Sequence, residues 1–240
     1  VNERLCTVAG AELWLCEQGA GPPLLLCNGG PGCCDYLAPV AALIDDVAHV
    51  YRFEQRGCGR SSPGGPFDLP TCLADIEALR RFLGHDRWIV GGHSWGANLA
   101  LAYALSHPER TKGLIILAGT GVQNDREWHD AYAAGRDAGL ETPPDFAYPS
   151  NMDVNRDVMR SWRIFIKQPS LLRRLAELTT PALIVHGAAD IRPGWPSEQL
   201  AALLPNARFV LLQGAPHEIW TTHAAALRAE LRTFVLSLAD

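Results

Sequence analysis

Gly91-Gly92-His93-Ser94-Trp95-Gly96-Ala97 is the stretch whose reading decides the fold. Gly92 to Gly96 fits G-x-S-x-G, a pattern that carries meaning only between a buried strand and a helix. Both flanks fit that context. Arg87-Trp88-Ile89-Val90 reads as the end of a strand, and Asn98 to Leu105 reads as the start of a helix with its apolar face inward. A strand-to-helix turn this sharp predicts a strained backbone at Ser94 and no room for a side chain at Gly92 or Gly96. It would lift the Ser94 hydroxyl above the sheet, at the beginning of the helix. Ser94 is the candidate nucleophile.

Outward from this turn, short apolar runs alternate with helical segments. Residues 3 to 18 suggest an opening hairpin turning at Ala9-Gly10. Pro23-Leu24-Leu25-Leu26-Cys27 is a continuous apolar run, as expected for a strand covered on both faces. Residues 36 to 45 read as helix and Val47 to Phe53 as strand. Thr71 to Leu83 reads as a helix capped by its threonine, and Gly113 to Ala118 as strand. Pro181 to Gly187 and Arg208 to Leu212 complete the strands. Pro196 to Leu204 and a stripe of Leu227, Leu231, Phe234 and Leu238 give the last helices. This rhythm predicts an α/β fold: a mostly parallel eight-stranded sheet flanked by helices.

The rhythm breaks between Gly121 and Lys167, where no strand is evident. Two amphipathic stretches stand on either side of Thr142-Pro143-Pro144. One aligns Trp128, Tyr132, Gly135 and Gly139, and the other aligns Val154, Val158, Trp162 and Phe165. An aromatic insertion after the sixth strand is where a lid over an apolar pocket would sit. The expectation is therefore a core of residues 1–120 and 170–240 with a helical cap at 121–169. Trp128, Tyr132, Trp162 and Phe165, with Gly29 below, are the candidate substrate-pocket residues.

Bulk properties narrow the function. The 240 residues include 21 basic and 26 acidic side chains, for a net charge of −5, which gives no reason to expect nucleic acid as a partner. No apolar run is long enough to span a bilayer, and Val1-Asn2-Glu3-Arg4 lacks the pattern of a secretion signal. All seven cysteines fall before residue 73, in odd number and without a C-x-x-C pair, so free thiols in a reducing cytoplasm are expected rather than disulfides or zinc. Cys6, Cys16 and Cys27 read as core residues. Cys33, Cys34 and Cys58 read as loop residues near the mouth, where thiol reagents would obstruct the site. No metal or cofactor is expected.

A serine hydroxyl needs a base at neutral pH. Of the eight histidines, only His217 reads as lying in a loop after the last strand, at the edge where Ser94 emerges, with His223 in reserve. The chain order nucleophile, acid, base makes Asp190, just past the seventh strand, the acid that orients His217; Asp125 is its rival. Glu218, beside the base, is expected to point elsewhere. Asn28-Gly29-Gly30-Pro31-Gly32 follows a buried strand and can aim backbone N–H groups at an oxyanion. Gly30 and Trp95 are the candidate donors. Glu54 and Arg56 are expected to pin loops.

Three stretches together, Asn28 to Gly32, Phe53-Glu54-Gln55-Arg56-Gly57-Cys58-Gly59-Arg60-Ser61 and Gly91 to Gly96, resemble the proline iminopeptidase branch of the α/β-hydrolase superfamily. The resemblance implies the α/β-hydrolase fold, a Ser94-Asp190-His217 triad and an oxyanion hole at Gly30 and Trp95. It implies a cofactor-free serine hydrolase working through an acyl-enzyme. The chain departs from the family pattern at Asn28, where the family has His, and at Glu54, where it has Asp. Its insertion is also shorter than the family's cap, and most of the insertion's acids, a set that includes Glu141, read as a solvated outer face. Both a small ester and an N-terminal prolyl peptide stay open as substrates. A carboxylesterase or lipase-like enzyme, a C–C bond hydrolase and a non-catalytic ligand receptor are the alternatives.

Overall fold

Four short apolar runs lie side by side at the centre of the molecule: β3 (Pro23–Cys27), β5 (Trp88–His93), β6 (Thr111–Leu117) and β7 (Ala182–Gly187). They are buried along almost their whole length, because helices cover both faces of a parallel sheet. The computed structural model describes residues 1–8, 10–141 and 144–238. Ala9 of the expected hairpin turn and Thr142 and Pro143 of the proline-rich link lie outside the described residues.

With β1 (Asn2–Val8), β2 (Ala11–Gly19), β4 (His49–Phe53) and β8 (Ala207–Leu212), the strands form one eight-stranded sheet in the order β1-β2-β4-β3-β5-β6-β7-β8. The β1–β2 and β2–β4 pairs are antiparallel and all others are parallel. The loops after β3, β5, β7 and β8 therefore open at one edge, where α/β sheets bind their ligands.

The sheet separates two cores. On one face, α2 (Leu69–Phe82) and α3 (Trp95–Ser106) pack Leu79, Leu99 and Tyr103 against Leu25 and Val90. On the other, α1 (Ala38–Ala41) and α8 (Trp220–Ser237) pack Val40, Leu227 and Leu231 against Leu24 and Ile115. Residues Trp95 to Leu105 of α3 are all buried, which explains why this helix is apolar on every side. Two local expectations are corrected. The N-cap of α2 is Asp68, whose carboxylate accepts the Thr71 N–H at 2.9 Å, so the helix begins before the threonine, with Pro70 in its first turn. The helix expected over 36–45 shrinks to the single turn of α1.

Between β6 and β7 lie α4 (Arg126–Asp137), α5 (Met152–Phe165) and α6 (Leu171–Glu177), the last of which the sequence reading did not anticipate. Asp125 and Asn151 cap α4 and α5 by accepting backbone N–H groups of their first turns. The α5 stripe is real: Val154, Val158, Trp162 and Phe165 are all buried, in the same core as α3. At about 1.5–3 kcal/mol per buried large apolar side chain, this face glues the helix down. Then follow Asp190 and α7 (Trp195–Leu203). Among the described residues no helix is long and apolar enough to cross a membrane.

Candidate active site

Ser94 stands at the turn from β5 into α3 with φ 55° and ψ −120°, a conformation that L residues rarely adopt. The surrounding glycines make the turn possible. A Cβ on Gly92 would lie 2.3 Å from the Gly96 carbonyl carbon, and one on Gly96 would lie 2.0 Å from the Cys27 carbonyl oxygen. The Ser94 N–H donates to the Leu117 carbonyl at 2.9 Å, fixing the turn to β6.

Past β7 and β8 two more side chains arrive. His217 Nδ1 and Asp190 Oδ2 are 2.6 Å apart, with the Asp190 carboxylate wholly buried and the ring nearly so. The second carboxylate oxygen, Oδ1, accepts the Arg192 N–H at 2.9 Å and Arg192 Nη1 at 3.2 Å. Burial works against the Asp190 anion. The hydrogen bond and charge of His217 and the charge of Arg192 outweigh it and hold the carboxyl down at about 2. Nδ1 of His217 is thus turned to the acid, leaving Nε2 as the nitrogen available for proton transfer. Among the described residues the Ser94 hydroxyl makes no hydrogen bond. Asp125 is occupied as the cap of α4, and His223 pairs with its neighbour Thr222 at 2.8 Å.

The glycine-rich loop after β3 lies against the elbow: a Cβ on Gly29 would be 2.8 Å from Ser94 Cβ. Asn28 holds the loop by donating its amide to the carbonyls of Gly29, Cys33 and Cys34 at 3.0–3.2 Å. The start of α5 braces it from the other side. Asn151 N–H donates to the Gly32 carbonyl at 2.8 Å, and Asn155 donates to that of Pro31 at 3.0 Å. The Gly29 N–H is spent on the Tyr36 hydroxyl at 2.9 Å. Among the described residues the N–H groups of Gly30 and Trp95 have no such partner, and Trp95 opens α3, where helix N–H groups are unpaired and attract anions.

Tyr36 and His93 tie these loops together. The Tyr36 hydroxyl is 2.7 Å from His93 Nδ1, and His93 Nε2 is 3.0 Å from the His217 carbonyl. A carbonyl only accepts, so Nε2 carries the proton, and neutral His93 then accepts at Nδ1 from Tyr36. Complete burial drives the His93 pKa well below its ordinary value, which keeps the ring neutral. Both ring nitrogens of His93 are thus engaged by Tyr36 and the His217 carbonyl rather than by Ser94. Tyr36 was not foreseen, and no local sequence signal marks it.

A cavity of about 520 Å³ opens beside His217, lined by Tyr36, Glu141, Asp145, Ile191, Glu218 and Trp220 among others. The four cap aromatics expected to line a pocket are not among its walls. Trp128 is buried and donates its indole N–H to the Pro193 carbonyl at 3.0 Å, while Tyr132 packs on Arg192. Trp162 stacks on Phe165 with its edge toward Trp95, inside the core. Their amphipathic faces join cap to core, a demand that produces the same pattern as a pocket. Two further corrections concern acids. Glu218 lines the cavity, and burial pushes its carboxyl up. Glu141 is no solvated outer residue, since both its oxygens pair with Arg192. Glu141, Asp190 and His217 also approach metal-ligand spacing, but the Arg192 guanidinium already pairs with both carboxylates and disfavours a second cation.

The seven cysteines are free and buried, including Cys33, Cys34 and Cys58, so the expected route for thiol reagents at the mouth is closed. Burial pushes the Cys58 thiol up to about 12 and raises that of Cys33. Glu54 and Arg56 do pin loops: Glu54 accepts from Asp35 N–H at 3.1 Å and from the Arg60 side chain, and Arg56 pairs with Asp75.

The sheet order, the strained turn and the edge at which these loops meet are those of an α/β hydrolase. A sequence profile of the family described as "alpha/beta hydrolase fold" matches residues 22–148, more than half of the chain, and the chain belongs to that family. Within it, the resemblance to proline iminopeptidases holds by direct comparison. The enzyme of that name from Neisseria gonorrhoeae is 42% identical over 105 residues, covering 40% of this chain and 32% of the relative. The matched stretch thus spans about a third of that relative's length. Among solved structures, the proline iminopeptidase of Mycobacterium smegmatis superimposes with a TM-score of 0.75 at 20% identity, covering 99% of both chains. A thermophilic esterase from Thermogutta terrifontis gives 0.79 at 19% identity over 100% of both. At these identities the structures establish the shared fold alone.

Proposed function

We propose that the protein is a serine hydrolase in which Ser94 attacks a substrate carbonyl and His217 takes its proton. Asp190 fixes the His217 tautomer and stabilises the imidazolium. The Gly30 and Trp95 N–H groups hold the oxyanion. His217 then returns the proton to the leaving group, and water releases the acyl-enzyme by the same steps. The observation that carries this reading is the 2.6 Å His217–Asp190 contact at the sheet edge where the strained Ser94 turn opens. The free thiols support a reducing, cytoplasmic setting.

For substrate, we favour a short peptide with an N-terminal proline. The cavity beside His217 has Glu141, Asp145 and Glu218 on its walls, and Glu141 is matched by Arg192. Glu218 and Asp145 remain to receive a cationic amino group. Leu140, Ile191 and Trp220 on the same walls favour a small apolar ester as the second reading.

The test is a side-by-side assay of L-proline p-nitroanilide and p-nitrophenyl esters of two to eight carbons. Anilide cleavage that Glu218→Gln weakens through KM, with ester rates unchanged, is the expected outcome. Ester cleavage alone would move the assignment to an esterase. Ser94→Ala is expected to lose at least about 10³-fold in kcat with its fold intact; turnover close to wild type in that variant would refute the mechanism.

A further inference from the structure

Arg192 lies between the acid and the cap. Its backbone N–H and Nη1 meet Asp190 Oδ1 at 2.9 and 3.2 Å. Nη1 and Nη2 also pair with the two Glu141 oxygens, the latter at 3.1 Å. Nη2 is 3.2 Å from the Tyr132 hydroxyl, and the guanidinium lies 4.4 Å from the centre of the Tyr132 ring. The side chains of Arg192 and Glu141 are each only 12% exposed, and Asp190 is fully buried, so solvent screens these charges poorly. Tyr132 and Glu141 both belong to the insertion between β6 and β7, whereas Arg192 belongs to the acid's own loop.

We propose that Arg192 and Glu141 form a charge-balanced strap through which the seating of the cap sets the strength of the Asp190–His217 pair. It rests on the reading of that pair as acid and base. A lone cation beside Asp190 Oδ1 draws the carboxylate's charge away from His217 and opposes the imidazolium that forms during attack. Glu141 cancels that cation, and it also lies within 4.8 Å of both Asp190 and His217. A cap that lifts takes Glu141 with it and leaves Arg192 unbalanced against the acid. Arg192 and Glu141 are thus positioning residues, acting on the reacting groups through Asp190. Of the other titratable groups around His217, Asp145 on the cavity wall belongs to the same insertion, while Tyr36, His93 at 4.4 Å between ring centres, His186 behind Asp190 and Glu218 lie outside it.

The sign of the effect can be worked out. Glu141→Gln removes an anion near His217 and so leaves Arg192 unopposed, which lowers the proton affinity of the ring. The acidic limb of the pH–rate profile then moves to lower pH, by roughly half to one unit, a three- to tenfold change in the protonated fraction. The double variant Glu141→Gln/Arg192→Gln removes both charges and returns the limb to near the wild-type position. Tyr132→Phe removes one hydroxyl contact to Arg192 and neither charge, so with the cap still seated the limb stays in place.

The experiment is the rate of labelling by a fluorophosphonate probe as a function of pH in wild type and these variants, which needs no knowledge of the natural substrate. A following titration of the His217 ring by NMR in Glu141→Gln gives the same shift without turnover. The expected result is a downward shift in Glu141→Gln that the second substitution reverses. An unmoved limb in Glu141→Gln, or a double variant as low as the single one, overturns the strap. A His217→Asn variant that labels as fast as wild type instead overturns the reading of the site beneath it.

Discussion

Replacing Gly96 by alanine tests the elbow more sharply than replacing the serine. The added Cβ would stand 2.0 Å from the Cys27 carbonyl oxygen, 2.5 Å from its carbon and 2.6 Å from the Asn28 carbonyl oxygen, where ordinary contact begins at 3.4 Å. All three atoms are backbone, so no side chain can swing aside. The first turn of α3 and the end of β3 must part by well over an ångström. β3 sits between β4 and β5, and α3 is buried throughout, so the strain has no surface outlet. Overpacking of this kind costs about 3 kcal/mol. In a chain of this size that lowers Tm by about 6–12 °C. The atoms pushed apart carry the Gly30 loop on one side and the Trp95 N–H on the other. A misplacement of that order costs about 10²-fold in rate, and it should fall on kcat more than on KM. Differential scanning calorimetry and ester turnover measure the two effects. Gly64→Ala is the control, because its Cβ meets nothing within 4 Å. A Gly96→Ala enzyme with wild-type Tm and kcat would refute the close crossing of strand and helix on which the site reading depends.

Two other outcomes are expected. Glu77 is held by Arg80 at 2.6 Å, and by Arg81 and the Tyr103 hydroxyl, both at 2.9 Å, and these bonds lower its carboxyl to about 2. Its stabilisation is therefore complete above the ordinary carboxylate range and is lost as pH falls toward 2. Glu77→Gln should cost about 3 kcal/mol in urea unfolding at neutral pH and lose that deficit in acid; a constant difference across pH would count against the network. The native protein should react with less than one equivalent of a thiol reagent in minutes and with seven after denaturation. Prompt reaction at Cys33 or Cys58 would show that the glycine loop opens freely.

Much of the core was legible because its signals are local. A strand covered on both faces must be apolar throughout, so β3 and β7 declared themselves. Ser94 and Asp190 each lie just past such a run and His217 past the edge strand β8, and their order along the chain singled them out as candidates. What escaped the reading depends on contacts between distant segments. Tyr36 matters because its hydroxyl reaches Gly29 and His93, and nothing in Asp35-Tyr36-Leu37 announces it. Arg192 resembles any loop arginine until Glu141 and Tyr132 come down on it. The stripe of Trp162 and Phe165 was legible as a stripe, but a helix sealing itself to a core and a helix lining a pocket need the same residues. The brevity of α6 left too few turns for a period to show.

The chain of hydrogen bonds from Gly29 through Tyr36 and His93 to the His217 carbonyl has one direction, set by an acceptor that cannot donate. It grips the backbone of the proposed base and leaves the ring alone. During turnover that ring would gain and lose a proton, changing its charge and the strength of its bond to Asp190. The peptide beneath it meets the same donor throughout, because buried His93 stays neutral. The proposed base would be carried on a mount that keeps its hydrogen bond whatever the charge of the ring, so an imidazolium could return its proton from the position in which it received it.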